Sequence, residues 1–379
     1  MMKKLLLLGV ALCALNACNS VKQESSLTKS GLDARNFRTE IDGKQTDLFV
    51  LTNKNGMEVC LTNFGARIVS VMVPDKGGQM QDVVLGFDSV QDYITYPTDF
   101  GASIGRYANR IKDGRFTLDG KEIQLPRNNF GHCLHGGPKG WQYKVYDAQR
   151  TDSSSVTMTL HSPDGDEGFP GNVTAKVVFR LSDDNSIDIS YEAETDKKTI
   201  INMTNHSYFN LSGDASRSIE DNLLYLNADA FTPVDSTFMT TGEIRPVSGT
   251  PMNFTTPKTI ASDMDLTDEQ VKNGNGYDHN WVLNTQGDVN QVAARLMSPV
   301  TGIVLEVYTN EPGIQVYSGN FLDGSVKGKK GVVYQQRAAV CLETQHYPDS
   351  PNKADWPGVE LLPGQKYVSH CVYKFSLMP

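Results

Sequence analysis

One of the chain's seven histidines stands in "TNHSYFNL" (204–211), just ahead of Tyr208 and Phe209. His206 has three readings there: a hydrogen-bonded core residue, a metal ligand, or a proton donor. The last is open to it because an imidazole titrates close to neutral pH. A second dense stretch is "CLETQHYPDS" (341–350), where Cys341 and Leu342 read as the end of a buried strand. Glu343 follows directly, ahead of a polar loop holding Gln345 and His346. A carboxylate at that point is either a solvated strand edge or a base held at the rim of a cleft.

Four further stretches offer hydrogen-bonding groups. "GRYANRI" (105–111) places Asn109 beside Arg110 between apolar residues. Such an arginine either pairs with a carboxylate or holds hydroxyls through its fork of donors. "HCLHGG" (132–137) contains His132, Cys133 and His135, all capable metal ligands. A structural zinc site needs four ligands, usually from two clusters, and no second compact His/Cys cluster exists, so we expect no metal. The alternative is that His135 bonds a polar ligand while Gly136 and Gly137 let the backbone approach it. Asp278, in "NGYDHNWVL" (275–283), is a turn residue or an acceptor for hydroxyls. Gln315, in "EPGIQVYSGNF" (311–321), is a structural hydrogen-bonder or part of the same site. Taken together, these groups suit a neutral, polyhydroxylated ligand, which needs many oriented donors and acceptors and apolar faces to stack on.

Two other patterns do not carry the chemistry they resemble. "GASIG" (101–105) has the spacing of a serine-hydrolase elbow, but that motif needs a strand before Ser103 and a helix after it. "GSVKGKKG" lacks the spacing of a phosphate-binding loop and the Ser or Thr after its lysine.

The elements that must position these residues are strands. Apolar residues alternate with polar ones in "VTMTL" (156–160), "VTAKVVFRL" (173–181) and "SIDISYEAET" (186–195), the pattern of antiparallel sheets with one buried face. "RFTLDGKEIQL" (115–125) carries Asp119-Gly120 between two apolar runs and predicts a hairpin. "SDMDLTDEQVKN" (262–273) is the one candidate for a short helix. Strand–helix alternation is missing, which argues against a doubly wound α/β fold. The expected class is all-β, a large antiparallel sandwich or barrel formed as one domain by residues 36–379.

The first residues read as a leader. Lys3 and Lys4 precede an apolar run, Leu5 to Leu15, which is too short to span a membrane as a helix. "LNAC" then ends at Cys18 and resembles a bacterial lipobox. That implies cleavage after residue 17, lipid on the Cys18 thiol and an exported, membrane-anchored protein facing the periplasm or the cell exterior. Residues 18–35 are polar and read as a flexible tether. Loss of Lys3 and Lys4 takes the formal net charge from −9 to −11. An acidic chain without a basic stripe is a poor nucleic-acid binder. Cys60, Cys133, Cys341 and Cys371 lie far apart, and their spacing specifies no disulfide.

"IGRYANRI", "LHGG" followed by Gly140-Trp141, "GFPG" (168–171), "TNHSYFNL", "GYDHNWVL", "GIQVYSGN" and "CLETQHYPD" occur in this order. Together they resemble the aldose 1-epimerases, or galactose mutarotases, over essentially residues 36–379. The resemblance implies a large antiparallel β-sandwich of the galactose mutarotase type. It implies His206 as general acid and Glu343 as general base, with Asn109, Arg110, His135, Asp278 and Gln315 lining the sugar site. It implies a free aldose such as galactose or glucose as substrate, no cofactor, and a monomer or weak dimer. The rivals are a glycosidase, which needs two carboxylates flanking the scissile bond, a non-catalytic sugar-binding lipoprotein, and a phosphosugar epimerase, which would want extra Lys or Arg at the cleft.

Overall fold

The computed structural model describes residues 27–379. The leader, Cys18 and the first part of the expected tether lie outside the described residues. The tether's last residues behave differently from the expectation. Leu32 and Phe37 are buried, the Lys29 N–H donates to Glu58 Oε1 (2.7 Å), and Ser30 Oγ donates to Ser70 Oγ (3.0 Å). The chain therefore docks on the body from about residue 28, held by two apolar side chains that the polar composition around them obscures.

Three antiparallel sheets carry the architecture. A nine-stranded sheet runs in the spatial order Asp147–Arg150, Ser155–Ser162, Val173–Leu181, Ser186–Thr195, Tyr367–Leu377, Ile303–Thr309, Ala294–Met297, Leu223–Leu226, Lys258–Thr259. A six-stranded sheet runs Tyr208–Phe209, Val340–Gln345, Gly313–Tyr317, Asp278–Val282, Ala230–Thr232, Arg245–Pro246. A four-stranded sheet is built from Leu48–Thr52, Glu58–Thr62, Arg67–Pro74 and Met80–Asp82. The alternation seen in the sequence is the burial pattern observed: Val173, Ala175, Val177, Phe179 and Leu181 point inward while Lys176 and Arg180 are exposed.

The inner faces of all three sheets meet in one apolar cluster. Phe179, Ile189 and Tyr373 come from the large sheet, Trp281, Ile314 and Leu342 from the six-stranded sheet, and Leu61 and Val71 from the smallest. Contacts across the layers are direct. The Phe209 and Tyr373 rings meet edge to face at 4.9 Å, and the Tyr373 hydroxyl donates to the Leu342 carbonyl (3.0 Å). This is the packing of a β-sandwich.

The Asp119-Gly120 hairpin forms as expected. Leu118 pairs with Lys121, and Asp119 and Gly120 have φ of 50° and 74°, the primed turn that matches strand twist. The expected helix over 262–273 is shorter: only Glu269–Asn273 is α-helical, started by Asp268, whose carboxylate accepts from the N–H groups of Gln270 and Val271. The residues before it turn instead. A second α-helix, Val90–Thr95, is capped by Ser89 and escapes a periodicity search because it is so short.

The outer face of the six-stranded sheet is covered by loops, so all residues of Val340–Gln345 are buried. Gly101 joins that cover to the sheet. Its N–H donates to the His206 carbonyl (3.0 Å) and its carbonyl accepts from Ile68 N–H (2.9 Å) and Asn205 Nδ2 (3.0 Å). Its φ is 69°, and a Cβ there would collide with the Ile68 carbonyl. Gly101→Ala should therefore cost about 2–4 kcal/mol, from left-handed strain plus a backbone clash. Gly249→Ala, at φ 75° with nothing near its Cβ, should cost only about 1 kcal/mol. Urea denaturation of both variants reads the difference.

Candidate active site

Register on the six-stranded sheet sets out the site. Asp278 pairs with Tyr317, Tyr317 with Cys341, and Cys341 with Tyr208, making one row across four strands. Asn280, Gln315 and Glu343 make the next row. Alternation turns these residues to the outer face, while His279, Trp281, Ile314, Val316 and Leu342 face the core. The Tyr208–Cys341 register, continued by two residues, sets His206 opposite Glu343. Glu343 is thus a residue within a buried strand and not the start of a loop.

The motif around His206 fixes its backbone. The His206 N–H donates to the Ala102 carbonyl (2.8 Å), and Asn205 Oδ1 accepts from the Ser207 N–H (3.0 Å). The ring stacks on Tyr208 at 5.0 Å, and His135 meets it edge-on at 5.1 Å. His206 Nε2 then lies 3.5 Å from Glu343 Oε1, with both side chains buried.

His206 and Glu343 form the end of a cleft of about 360 Å³, within the range of small-ligand sites, roughly 300–1,000 Å³. Asn109, Arg110, His135 and Asp278 line it, as the sequence suggested. Asn109 has φ 61° and its Oδ1 accepts from the Arg110 N–H (2.8 Å). Its own N–H donates to His135 Nδ1 (3.1 Å). That bond occupies the Nδ1 lone pair, so a neutral His135 carries its proton on Nε2 and acts as a donor. Burial keeps His135 neutral by pushing its pKa well below the usual value, with His206 and Arg110 adding to the effect. Arg110 Nη1 stands 4.0 Å from Asp278 Oδ2, Nε donates to Asn129 Oδ1 (3.1 Å), and the guanidinium lies over the Phe238 ring at 5.0 Å.

Gln315 stands behind Asp278 and orients it: Nε2 donates to Asp278 Oδ1 (2.7 Å). The residues of "HCLHGG" go separate ways. His132 accepts from the Asp113 N–H at Nδ1 (3.0 Å) and contacts Thr237 Oγ1 through Nε2 (2.9 Å). Cys133 packs among Ile111, Phe116 and Phe169, and burial pushes its thiol up to about 12. Leu134 and His135 reach the cleft. Ser103 is buried and spends its hydroxyl on the Ala66 carbonyl (2.9 Å). The four cysteines of the described residues are free thiols.

Sequence reasoning did not single out Asp99, Asn129, Phe130, Tyr317 and Phe321, which also line the cleft. Phe130 and Phe321 are about half exposed and flank buried Phe238 at ring distances of 5.2 and 5.4 Å. Tyr317 was legible, since it shares the alternation of Gln315. The others sit in loops that carry no periodic signal.

Burial shifts the titratable groups of the cleft in opposite directions. Burial pushes the Glu343 carboxyl well above the usual range, and the neighbouring Asp278 and Asp99 add to this, while Arg110 opposes it. Burial lowers His206, with Asp99 opposing. Asp278 is raised by burial, with Arg110 and Gln315 pulling it back. The two shifts run in opposite senses, burial raising the proton affinity of Glu343 and lowering that of His206. Asp99, His135 and His206 each place one ligand-type atom within 4.8 Å of the others, as do His206, Cys341 and Glu343.

A raised carboxyl makes the ionised form a burden on the fold. Glu343→Gln should therefore be more stable than wild type. The difference should vanish below the unfolded pKa of 4.5, where both side chains are neutral, and grow as pH rises toward the folded pKa. Denaturation of both proteins at pH 4 and pH 7.5 checks the sign.

Residues 47–374 match the family model "Aldose 1-epimerase". The chain is 42% identical to the galactose mutarotase of Sus scrofa over 321 residues, covering 85% of this chain and 92% of that protein. It is 39% identical to the aldose 1-epimerase of Escherichia coli (strain K12) over 336 residues, covering 88% and 96%. A crystal structure of an aldose epimerase homologue from C. elegans superposes with a TM-score of 0.82 at 33% identity, covering 88% of this chain and 100% of that one. Galactose 1-epimerase from Lactobacillus acidophilus NCFM gives 0.80 at 32% identity, covering 90% and 98%. With its sandwich, its cleft and these relatives in agreement, the chain belongs to the aldose 1-epimerase family.

Proposed function

We propose that this protein interconverts the α and β anomers of a free hexose such as galactose or glucose, with Glu343 as base and His206 as acid. The observation that carries the assignment is the 3.5 Å approach of His206 Nε2 to Glu343 Oε1 at the buried end of the cleft. Anomer exchange needs one proton removed from the C1 hydroxyl and one delivered to the ring oxygen. Glu343 takes the first, and its raised proton affinity makes it a stronger base than a solvated carboxylate. Protonated His206 supplies the second as the bond between C1 and the ring oxygen breaks. The open-chain aldehyde then rotates about C1–C2. On closure the C5 hydroxyl attacks the other face of C1 and gives its proton to His206, and Glu343 returns its proton to the carbonyl oxygen. Both groups finish as they began.

The remaining residues hold the sugar while this happens. His135 offers an Nε2–H donor, Arg110 a fork of donors, and Asp278 an acceptor oriented by Gln315. A glycosidase reading would need Asp278 as a second catalytic carboxyl. Its place between Gln315 and Arg110 instead suits a fixed acceptor. The names of the relatives, galactose mutarotase and aldose 1-epimerase, support a neutral aldose as substrate.

Polarimetry on freshly dissolved α-D-galactose and α-D-glucose tests the roles. Wild type should speed equilibration over the spontaneous drift. Glu343→Gln and His206→Asn should each lose about 10²–10⁴-fold, the usual worth of a placed acid or base. For wild type, kcat/KM should fall as pH drops through the raised pKa of Glu343. Full activity in Glu343→Gln would end the assignment.

The leader supports a further part of the reading, that the domain is exported and anchored through lipid on Cys18. Radiolabelled palmitate should label the wild-type protein and not a Cys18→Ala variant. Equal labelling of the two would refute the anchor.

A further inference from the structure

Asp99 has no place in the chemistry above, yet the fold invests a buried guanidinium in the loop that carries it. Arg67 is wholly buried. Its Nη1 donates to the carbonyls on both sides of Asp99, Thr98 O (2.9 Å) and Phe100 O (3.0 Å), and its Nη2 donates to Gln142 O (2.7 Å). The Tyr93 ring lies 4.9 Å from the guanidinium carbon. The Ala102 N–H closes the loop on the Asp99 carbonyl (3.0 Å). Burying a cation to hold three residues is costly and makes sense where the held side chain must be placed well.

The side chain so held is unused by the protein. Asp99 Oδ1 is shielded from solvent and has no hydrogen-bond partner. A carboxylate oxygen of Asp99 lies within 4.8 Å of a ring nitrogen of both His135 and His206, and no hydrogen bond or ion pair joins it to either ring. Two polar atoms at that separation are too far apart to bond directly. One oxygen placed about 2.8 Å from each would bridge them. His135 carries its proton on Nε2 and can only donate, whereas a carboxylate can only accept. The bridging group must therefore accept one hydrogen bond and donate another, which is what an alcohol does.

We propose that Asp99 is a specificity-determining residue, and that it and His135 clasp one hydroxyl of the sugar between them, the histidine donating to its oxygen and the carboxylate accepting its proton. This rests on the anomer-exchange reading of the cleft. It adds that one particular ring substituent, bonded by a charged acceptor, is required for tight binding. A site built to bond a hydroxyl rejects the analogue that lacks it, because its buried polar groups are then left unpaired.

The test crosses one substitution with a set of substrates. Mutarotation rates would be measured for wild type and Asp99→Ala on galactose, on glucose, and on their 2-, 3-, 4- and 6-deoxy analogues. No hydrogen bond within the protein is lost in Asp99→Ala, so its denaturation midpoint should stay close to wild type. With the parent sugars the substitution should raise KM and lower kcat/KM about 10- to 100-fold, the range for a hydrogen bond to a charged group, with kcat little changed. With one deoxy analogue the wild type should already be slow, and Asp99→Ala should make no further difference beyond about twofold. An equal penalty on every analogue, or no penalty on any sugar, would overturn the clasp. Wild type that fails to speed any sugar would instead overturn the anomer-exchange reading on which it rests.

Discussion

Glu343 sits inside a strand with both neighbours buried, and its carboxylate is almost wholly shielded from solvent. Oε2 has no hydrogen-bond partner, and Oε1 has only His206 at 3.5 Å. Two more carboxylates, Asp278 and Asp99, act on the same space, with Arg110 as the nearby cation. Several carboxylates around one buried carboxyl favour keeping a proton there. Whether that proton rests on Glu343 or on His206 is a property of the pair and not of either residue. Burial raises the proton affinity of Glu343 and lowers that of His206. Desolvation of this carboxyl weakens the fold at this point, a cost expected at functional sites.

Such a pair works only if its geometry is held. The sheet supplies this through register: the rows Asp278–Tyr317–Cys341–Tyr208 and Asn280–Gln315–Glu343 are fixed by ladder hydrogen bonds, and the opposite face of the same strands is locked into the core. A slip of one residue would bury Leu342 in the cleft and Glu343 in the core, so the apolar face enforces the face that lines the cleft. Polar residues do the same for the loops. Asn205 shapes the turn under His206, Asn109 links Arg110 to His135, and Gln315 orients Asp278. Several residues of the sequence motifs are therefore explained by what they hold and not by what they touch.

This division decides what the sequence could reveal. Strand alternation and the Asp119-Gly120 turn are local, and they survive folding unchanged. His206 and Glu343 were legible because each sits in a dense motif, and Asn109, Arg110, His135 and Asp278 because a cleft for a hydroxylated ligand needs their types. Gln315 was recognised, but its position behind Asp278 depends on a pairing 37 residues distant. The separation of His132 from His135 depends on the backbone around the two-residue strand between them, His135 following it at φ 51°. Asp99 and the Phe130–Phe238–Phe321 lip lie in loops, where only the tertiary structure brings side chains together. The docking of Leu32 was hidden for a different reason: one buried leucine in a polar stretch leaves no periodic trace.

The same charge distribution bears on the kind of sugar admitted. Arg110 is the only lysine or arginine among the described residues lining the cleft, and its charge already faces a carboxylate. Nε is on Asn129, Nη1 faces Asp278, and the planar face lies on Phe238. A phosphate would bring up to two negative charges into a space that holds Asp99, Asp278 and Glu343, where poor hydration weakens screening. It would also raise the proton affinity of Glu343 further. A phosphosugar epimerase would need extra cations to offset both effects. The cleft instead offers a single cation, a histidine donor and fixed acceptors, an arrangement that favours uncharged polyols.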